Sequence, residues 1–407
     1  IYLSEELLVS SPQQASAVLL EEVGHAIDDF LNVTDSAGDE GAIFASLVQG
    51  ETLTEQQLDS LQQENDQTTL EIAGEKVTVE QNTFTVTTIE DGSANVTLRS
   101  AISLANANSG ADTITFDRSL IGETITLTLG DLEINDSLTI EGLGPEQLTI
   151  SGGGFDISSG IEVDIEGLTI TGGSSSGIYN RGTLSLTNST ISGNSASDDG
   201  GGIINFGTLS LTDSTISGNS ASDDGGGIYN RFGTLSLTDS TISGNSASSG
   251  GGIINFGTLS QTNSTISGNS ASDDGGGIIN FGTLTVTNST VSGNSASDGG
   301  GLDNNETLTV TNSTISGNSA TNGGGLYADN DSRARISNST ISGNSATNGG
   351  GLYVKDRVYY FRGDDLRDGT AILTNSIIAN SVDGGDTAGS GRIITNGVNL
   401  VEDGSVS

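Results

Sequence analysis

The chain has no cysteine, methionine or tryptophan, and only 2 prolines and one histidine among 407 residues. Without cysteine there are no disulfides and no thiolate chemistry, and without methionine few side chains are oxidisable. That composition suits an exposed, extracellular setting. Basic residues are scarce, 12 against 52 acidic, for a net charge of -40. Nucleic acid and anionic membrane are therefore poor partners, repelled by the net charge, and cations are better ones. No run reaches the roughly 18 apolar residues that a membrane span needs. The sequence starts at Ile1 with neither Met nor a basic leader, so a signal peptide is expected to have been removed or to lie outside this sequence.

What is abundant is glycine, 60 residues, with an apolar content of only 32%. So little apolar surface, and so few prolines, argue against both a compact globule and a Pro/Gly linker. They call for an architecture that buries short apolar stripes.

Residues 1–83 read as a small α+β domain. Ser11 and Pro12 make an N-cap with proline at the first helical position, and Ala15, Leu19, Val23, Ala26, Ile27 and Phe30 follow at helical spacing. Further helices are expected over 40–49 and 54–65. The segment TLEIAGEKVTVE, residues 69–80, alternates on both sides of Ala73-Gly74 and predicts a hairpin.

From about residue 84 strands dominate, with one interruption. Leu98, Ala101, Ile102 and Ala105 fall at i, i+3, i+4 and i+7, which predicts a short amphipathic helix placed to cover a strand array's open first rung. From residue 182 the sequence repeats in units such as GTLSLTNSTISGNSASDDGGGIINF. The Asn of each SGN recurs at 194, 219, 245, 269, 294, 318 and 344, a spacing of 24 to 26. In TLSLTN, Leu184 and Leu186 lie on one side of a strand and Thr183, Ser185 and Thr187 on the other.

Such a unit cannot bury its apolar side alone, but stacked copies can, at roughly 4.8 Å per rung. A leucine-rich horseshoe needs helical or Leu-rich convex segments that are absent, and a propeller needs about 40 residues per unit. The fold class predicted is mainly β: a right-handed parallel β-helix over 84–407, with three-strand rungs of about 25 residues and ten to twelve rungs in all. The hand follows from the preference of parallel crossovers. Leu184, Leu209, Leu235, Leu259, Leu284 and Leu308 should stack in one inward column and Ile191, Ile216, Ile242, Ile266, Val291 and Ile315 in another. The SGN asparagines should form a hydrogen-bonded ladder. Gln261 stands at an inward position that Leu, Val or Ile fills elsewhere, so it must find a partner inside or distort its rung.

The segment TLRSAISLANANSGADTITFD resembles the initiating motif of bacterial surface β-helix proteins that carry a CSLREA signature, with Val96 in place of the cysteine and Ser100 at the usual charged or amide position. The rungs GGGIYN and ISGNSA resemble polymorphic-outer-membrane-protein repeats. Together they cover roughly residues 84–407 and imply a secreted or cell-surface β-helix, an adhesin-like or structural module.

Glu21-Glu22-Val23-Gly24-His25 is similar to the zincin helix, in which two histidines at i and i+4 hold Zn²⁺ around a Glu general base. Glu21 replaces the first histidine. Glu22 keeps the base position, His25 the second ligand, and Glu40 on the next helix would be a third. With one imidazole lost, a structural remnant without peptidase activity is expected. A pectate-lyase or polygalacturonase reading of the helix meets the objection that the repeat has no histidine and few basic residues, and that its acidic surface repels polyuronates unless Ca²⁺ bridges them. No enzyme is expected.

Asp198-Asp199, Asp223-Asp224 and Asp273-Asp274 precede glycine triplets in register. Two readings are open for them: solvated turns, or weak Ca²⁺ ligands between rungs, since like charges one rung apart repel. The NST triplets at Asn188, Asn263, Asn288, Asn312 and Asn338 match a glycosylation sequon, but Asp213 and Asp239 share their column, and a turn requirement explains both residue types. Between Asn338 and Asn375 the spacing is 37, so about a dozen residues are inserted around 355–368. The insertion brings Lys355, Arg357, Arg362 and Arg367 beside Tyr359, Tyr360 and Phe361, a candidate partner-binding surface. Expected partners are other copies of the chain, associating end to end into a homo-oligomer or filament, and surface glycans.

Overall fold

The computed structural model describes residues 67–72, 75–80, 82–92, 96–108, 110–355 and 369–402. The segments expected to form three N-terminal helices, the zincin-like residues and the insertion beyond Lys355 lie outside the described residues. Within the described residues the chain forms two compact units, those up to Ser119 with Ile134–Glu141, and Leu120–Glu133 with those from Gly142 on.

In the first unit, Gln67–Ile72 and Glu75–Glu80 pair antiparallel with Ile72 opposite Glu75, the hairpin expected from the alternation. Thr83–Val86, Asp112–Phe116 and Leu138–Glu141 pair in parallel, with Thr83 opposite Thr113 and Asp112 opposite Leu138. One helix, Leu98–Ala105, packs beside the first two of these strands and buries Leu98, Ala101, Ile102 and Ala105, the four residues its periodicity marked. Its start is fixed by a reciprocal pair. Ser100 donates its backbone N–H to the Thr97 hydroxyl at 3.1 Å, and Thr97 donates its own to the Ser100 hydroxyl at 2.8 Å. Ser100, which departs from the resembled motif, thus completes a capping box.

The second unit is a parallel β-helix of about eleven turns. A typical turn reads Thr183–Thr187, then Thr190–Ser192, then Ile203–Asn205, on a long, a middle and a short sheet. Successive turns pair in register, Leu184 with Leu209 and Ile191 with Ile216. Both predicted inward columns are fully or almost fully buried. The bend between the long and middle sheets needs one left-handed residue. Asn188, Asp213, Asp239, Asn263, Asn288, Asn312 and Asn338 supply it at φ between 45° and 52°. This explains why Asn and Asp interchange in the NST column.

The polar groups inside are organised into ladders. Each SGN side chain donates Nδ2 to the Oδ1 of the next, from Asn194 through Asn344, at 2.9–3.0 Å. Two further ladders were not anticipated: Asn180, Asn205, Asn230, Asn255, Asn280 and Asn304 at the end of the short sheet, and serines from Ser189 to Ser376, each hydroxyl accepting the preceding rung's N–H. Gln261 keeps perfect register between Leu237 and Val286. Its Nε2 donates to the Ser264 carbonyl at 3.1 Å, while its Oε1 is buried without a partner. Among the described residues no helix is long and apolar enough to cross a membrane.

Candidate functional site

On the central turns of the short sheet the outward residues are buried. Tyr229, Ile254 and Ile279 form a packed strip with Ile204 and Phe256 against it. The reason is the turn before each strand, which folds back over its outer surface. Gly200 (φ 65°) and Gly275 (φ 65°) lie so close that a Cβ would sit 2.3 Å from the Ile204 side chain and 2.5 Å from that of Ile279. Only glycine fits there, in a conformation L side chains rarely adopt.

Over the first of these rungs the turns form one wall of a groove, and the bend after the strand forms the other. The second wall is aromatic and meets aromatic rings of the floor: Tyr179 and Phe206 have ring centroids 5.5 Å apart, Tyr229 and Phe256 5.8 Å, and Phe256 and Phe281 are stacked at 5.0 Å. Arg231 lies over Phe206 and Phe232 at 6.0 and 5.8 Å, and Arg181 over Tyr179 at 4.8 Å. Near its first rungs the groove opens into a cavity of ≈370 Å³, lined by Tyr179, Phe206 and Tyr229, by Ser174 to Ser176, by Asp131, Asp156, Asp198 and Asp199, and by Arg231.

Burial holds the Asp199 carboxyl above the usual range, with Asp223 and Asp198 adding to the rise and Arg231 opposing it. Burial likewise raises the Tyr229 phenol, and the Asp199 charge adds to that. Further along, Asp224 and Asp274 are also raised, first by burial and then by neighbouring carboxylates.

The predicted site residues are therefore distributed unevenly. Asp198 and Asp199 line the cavity, and Asp223 acts on it through its charge. Asp224 continues the wall through the Asp224 N–H, which donates to Asp199 Oδ1 at 3.3 Å, and Asp273 and Asp274 stand two repeats further on. Among the described residues no three acidic or histidine side chains come together in a group that could hold a metal ion. Asn322 and Asn348 dilute the charge directly, since Asn322 Nδ2 donates to Asp298 Oδ1 at 2.7 Å and Asn348 Nδ2 to Asn322 Oδ1 at 2.8 Å. Lys355 is engaged within its own chain. It pairs with Asp329 at 3.2 Å, lies 5.6 Å from the Tyr327 ring centre, and is held above its ordinary range by its hydrogen bond to the Tyr327 hydroxyl. Glu21, Glu22, His25, Glu40, Arg357, Tyr359, Tyr360, Phe361, Arg362 and Arg367 lie outside the described residues.

The sequence reading missed the groove itself, because alternation assigns Tyr229, Ile254 and Ile279 to the outer side and hence to solvent. The available signal was their own hydrophobicity, beside a Phe or Arg two residues on in each unit. It also missed Asp303, which replaces the apolar floor residue between Ile279 and Tyr327 and is only 3% exposed.

The model of the Chlamydia polymorphic membrane protein repeat matches residues 213–231. No curated protein matches the chain. Among solved structures, the A-module of the Azotobacter vinelandii mannuronan C-5 epimerase AlgE4 is similar at 13% identity over 75% of this chain and 93% of that one, with a TM-score of 0.42. ORF18 of Geobacillus virus E2 is similar at 12% identity over 82% of this chain and 66% of that one, with a TM-score of 0.37. The chain is a parallel β-helix repeat protein, and one of its units, residues 213–231, is similar to the Chlamydia polymorphic membrane protein repeat.

Proposed function

We propose that the chain is an extracellular, cell-surface β-helix with a structural and adhesive role, and that it adheres by holding a linear glycan in the groove of the short sheet. The observation that carries this reading is the ≈370 Å³ cavity whose floor and wall are the rings of Tyr179, Phe206 and Tyr229 beside the hydroxyls of Ser174 to Ser176. Aromatic faces with a few convergent polar groups make a binding site for a ring-shaped ligand. Rings one rung apart, at about the 4.8 Å strand spacing, offer a repeating ligand a repeating contact. The ladders suit a structural role, because fully paired polar networks rigidify the frame on which the groove is built. The repeat similarity and the net charge of -40, which favours solvation and repels anionic surfaces, support an outward-facing location.

The test is a glycan array probed with the intact chain, followed by calorimetry on the oligosaccharides it retains. Binding that falls at least tenfold in a Tyr179→Ala, Phe206→Ala variant with an unchanged circular dichroism spectrum is expected. Failure of every oligosaccharide to bind sinks the reading, and release of shortened or unsaturated products would replace adhesion with catalysis. End-to-end association of copies is a separate proposal, read by light scattering of the intact chain beside one lacking residues 355–368.

A further inference from the structure

Within the glycan reading, we propose that the groove selects a chain of amino sugars bearing free amines over neutral or uronate glycans. The cavity is lined by four carboxylates, Asp131, Asp156, Asp198 and Asp199, against one guanidinium, Arg231. The neighbouring Arg181 is committed to Asp156 through an ion pair, and Arg231 is committed to the Phe206 and Phe232 rings and to the Tyr229 hydroxyl. The lining thus keeps an excess of negative charge on one wall and presents π faces on the other.

A polyuronate entering this space would bring like charges against Asp198 and Asp199. A neutral sugar would leave the Asp199 carboxyl desolvated and still facing Asp198 and Asp223. An ammonium group relieves both costs by pairing with the carboxylate wall, while the rings of Tyr179 and Phe206, which already carry Arg181 and Arg231, pack against the sugar. The saccharide ring that carries it stacks on the same aromatic strip, which a flexible cationic peptide matches less well. Two partly exposed charge contacts supply about a tenfold preference at low salt.

The experiment compares four ligands by calorimetry on the intact chain at matched low ionic strength: a glucosamine hexamer, the N-acetylglucosamine hexamer, a galacturonate hexamer and hexalysine. The glucosamine hexamer should bind about tenfold more tightly than its N-acetylated counterpart, with the galacturonate hexamer weakest. An Asp198→Asn, Asp199→Asn double variant, in which an amide oxygen can still accept the Asp224 N–H at position 199, should bind the two hexosamine oligomers equally. Equal affinity in the unaltered chain, tighter binding of the uronate, or hexalysine binding as well as the glucosamine hexamer overturns the selectivity while leaving glycan binding in place. If none of the three saccharides binds, the glycan reading itself falls.

Discussion

Asp303 occupies the place next to Ile279 on the outer floor of the short sheet, so a carboxyl lies in the strip that Tyr229, Ile254 and Ile279 build from apolar groups. Asn305 Nδ2 donates to its Oδ1 at 2.7 Å, but burial and the charges of Asp274, Asp329 and Asp298 hold its affinity for a proton well above the ordinary carboxyl range. In the folded chain it therefore binds a proton that the unfolded chain releases near pH 4. Since the folded state binds more protons, stability falls as pH rises from the unfolded value through the folded one. Asp112, fully buried and pushed up to about 7 mainly by burial, acts in the same direction between about pH 4 and 7. Melting followed from pH 4 to pH 8 should show stability declining across this window. Asp303→Ile should raise stability at pH 7 by about 1–3 kcal/mol and flatten the decline. A variant less stable than the parent at pH 7 would refute the assignment.

Gln261 should be replaceable with profit. Its Oε1 is buried without a partner while Leu237, one rung away, fits the same position. Removing an unpaired buried acceptor and restoring apolar contact should stabilise the Gln261→Leu variant by about 1–3 kcal/mol in guanidinium unfolding. Gln261→Glu, which places a charge there, should destabilise. No gain from leucine would mean that the free oxygen is already satisfied.

The SGN asparagine and the bend asparagine of a unit should respond differently to glycine. Asn219 accepts the N–H and Nδ2 of Asn194 and donates to Asn245 and to the Ile191 carbonyl. Asn219→Gly leaves these groups unpaired in the interior and should cost about 3 kcal/mol or more. Asn188 is exposed and serves through its φ of 45°, so Asn188→Gly should be nearly neutral and Asn188→Val should cost about 1–2 kcal/mol. Urea unfolding of the three variants reads the order directly.

Calcium and magnesium should raise the melting temperature equally at matched ionic strength. The aspartates of successive turns bear on one another as like charges, as Asp223 and Asp198 do on Asp199, and any divalent ion screens such a column. A rise specific to calcium would reveal coordination.

The period, the strand faces and the inward columns were legible because they are local properties repeated. Alternation within TLSLT fixes which residues face inward, and identical units can bury that side only by stacking in register, which also aligns each SGN asparagine with the next. The Asn/Asp exchange in the NST column likewise announced a left-handed bend. What alternation could not settle is the fate of outward residues. Tyr229, Ile254 and Ile279 are outward by period yet buried, because the glycine of the preceding turn closes over them. A turn's glycines permit it to fold back, but whether it does so is decided by contacts with neighbouring rungs. For that reason the sequence by itself determined a stacked parallel β-helix, its core columns and its acidic surface. Only the tertiary structure decided that one outer face is a groove with an aromatic wall, that Asp198 and Asp199 line it, and that Asp303 is buried in the outer strip of the same sheet.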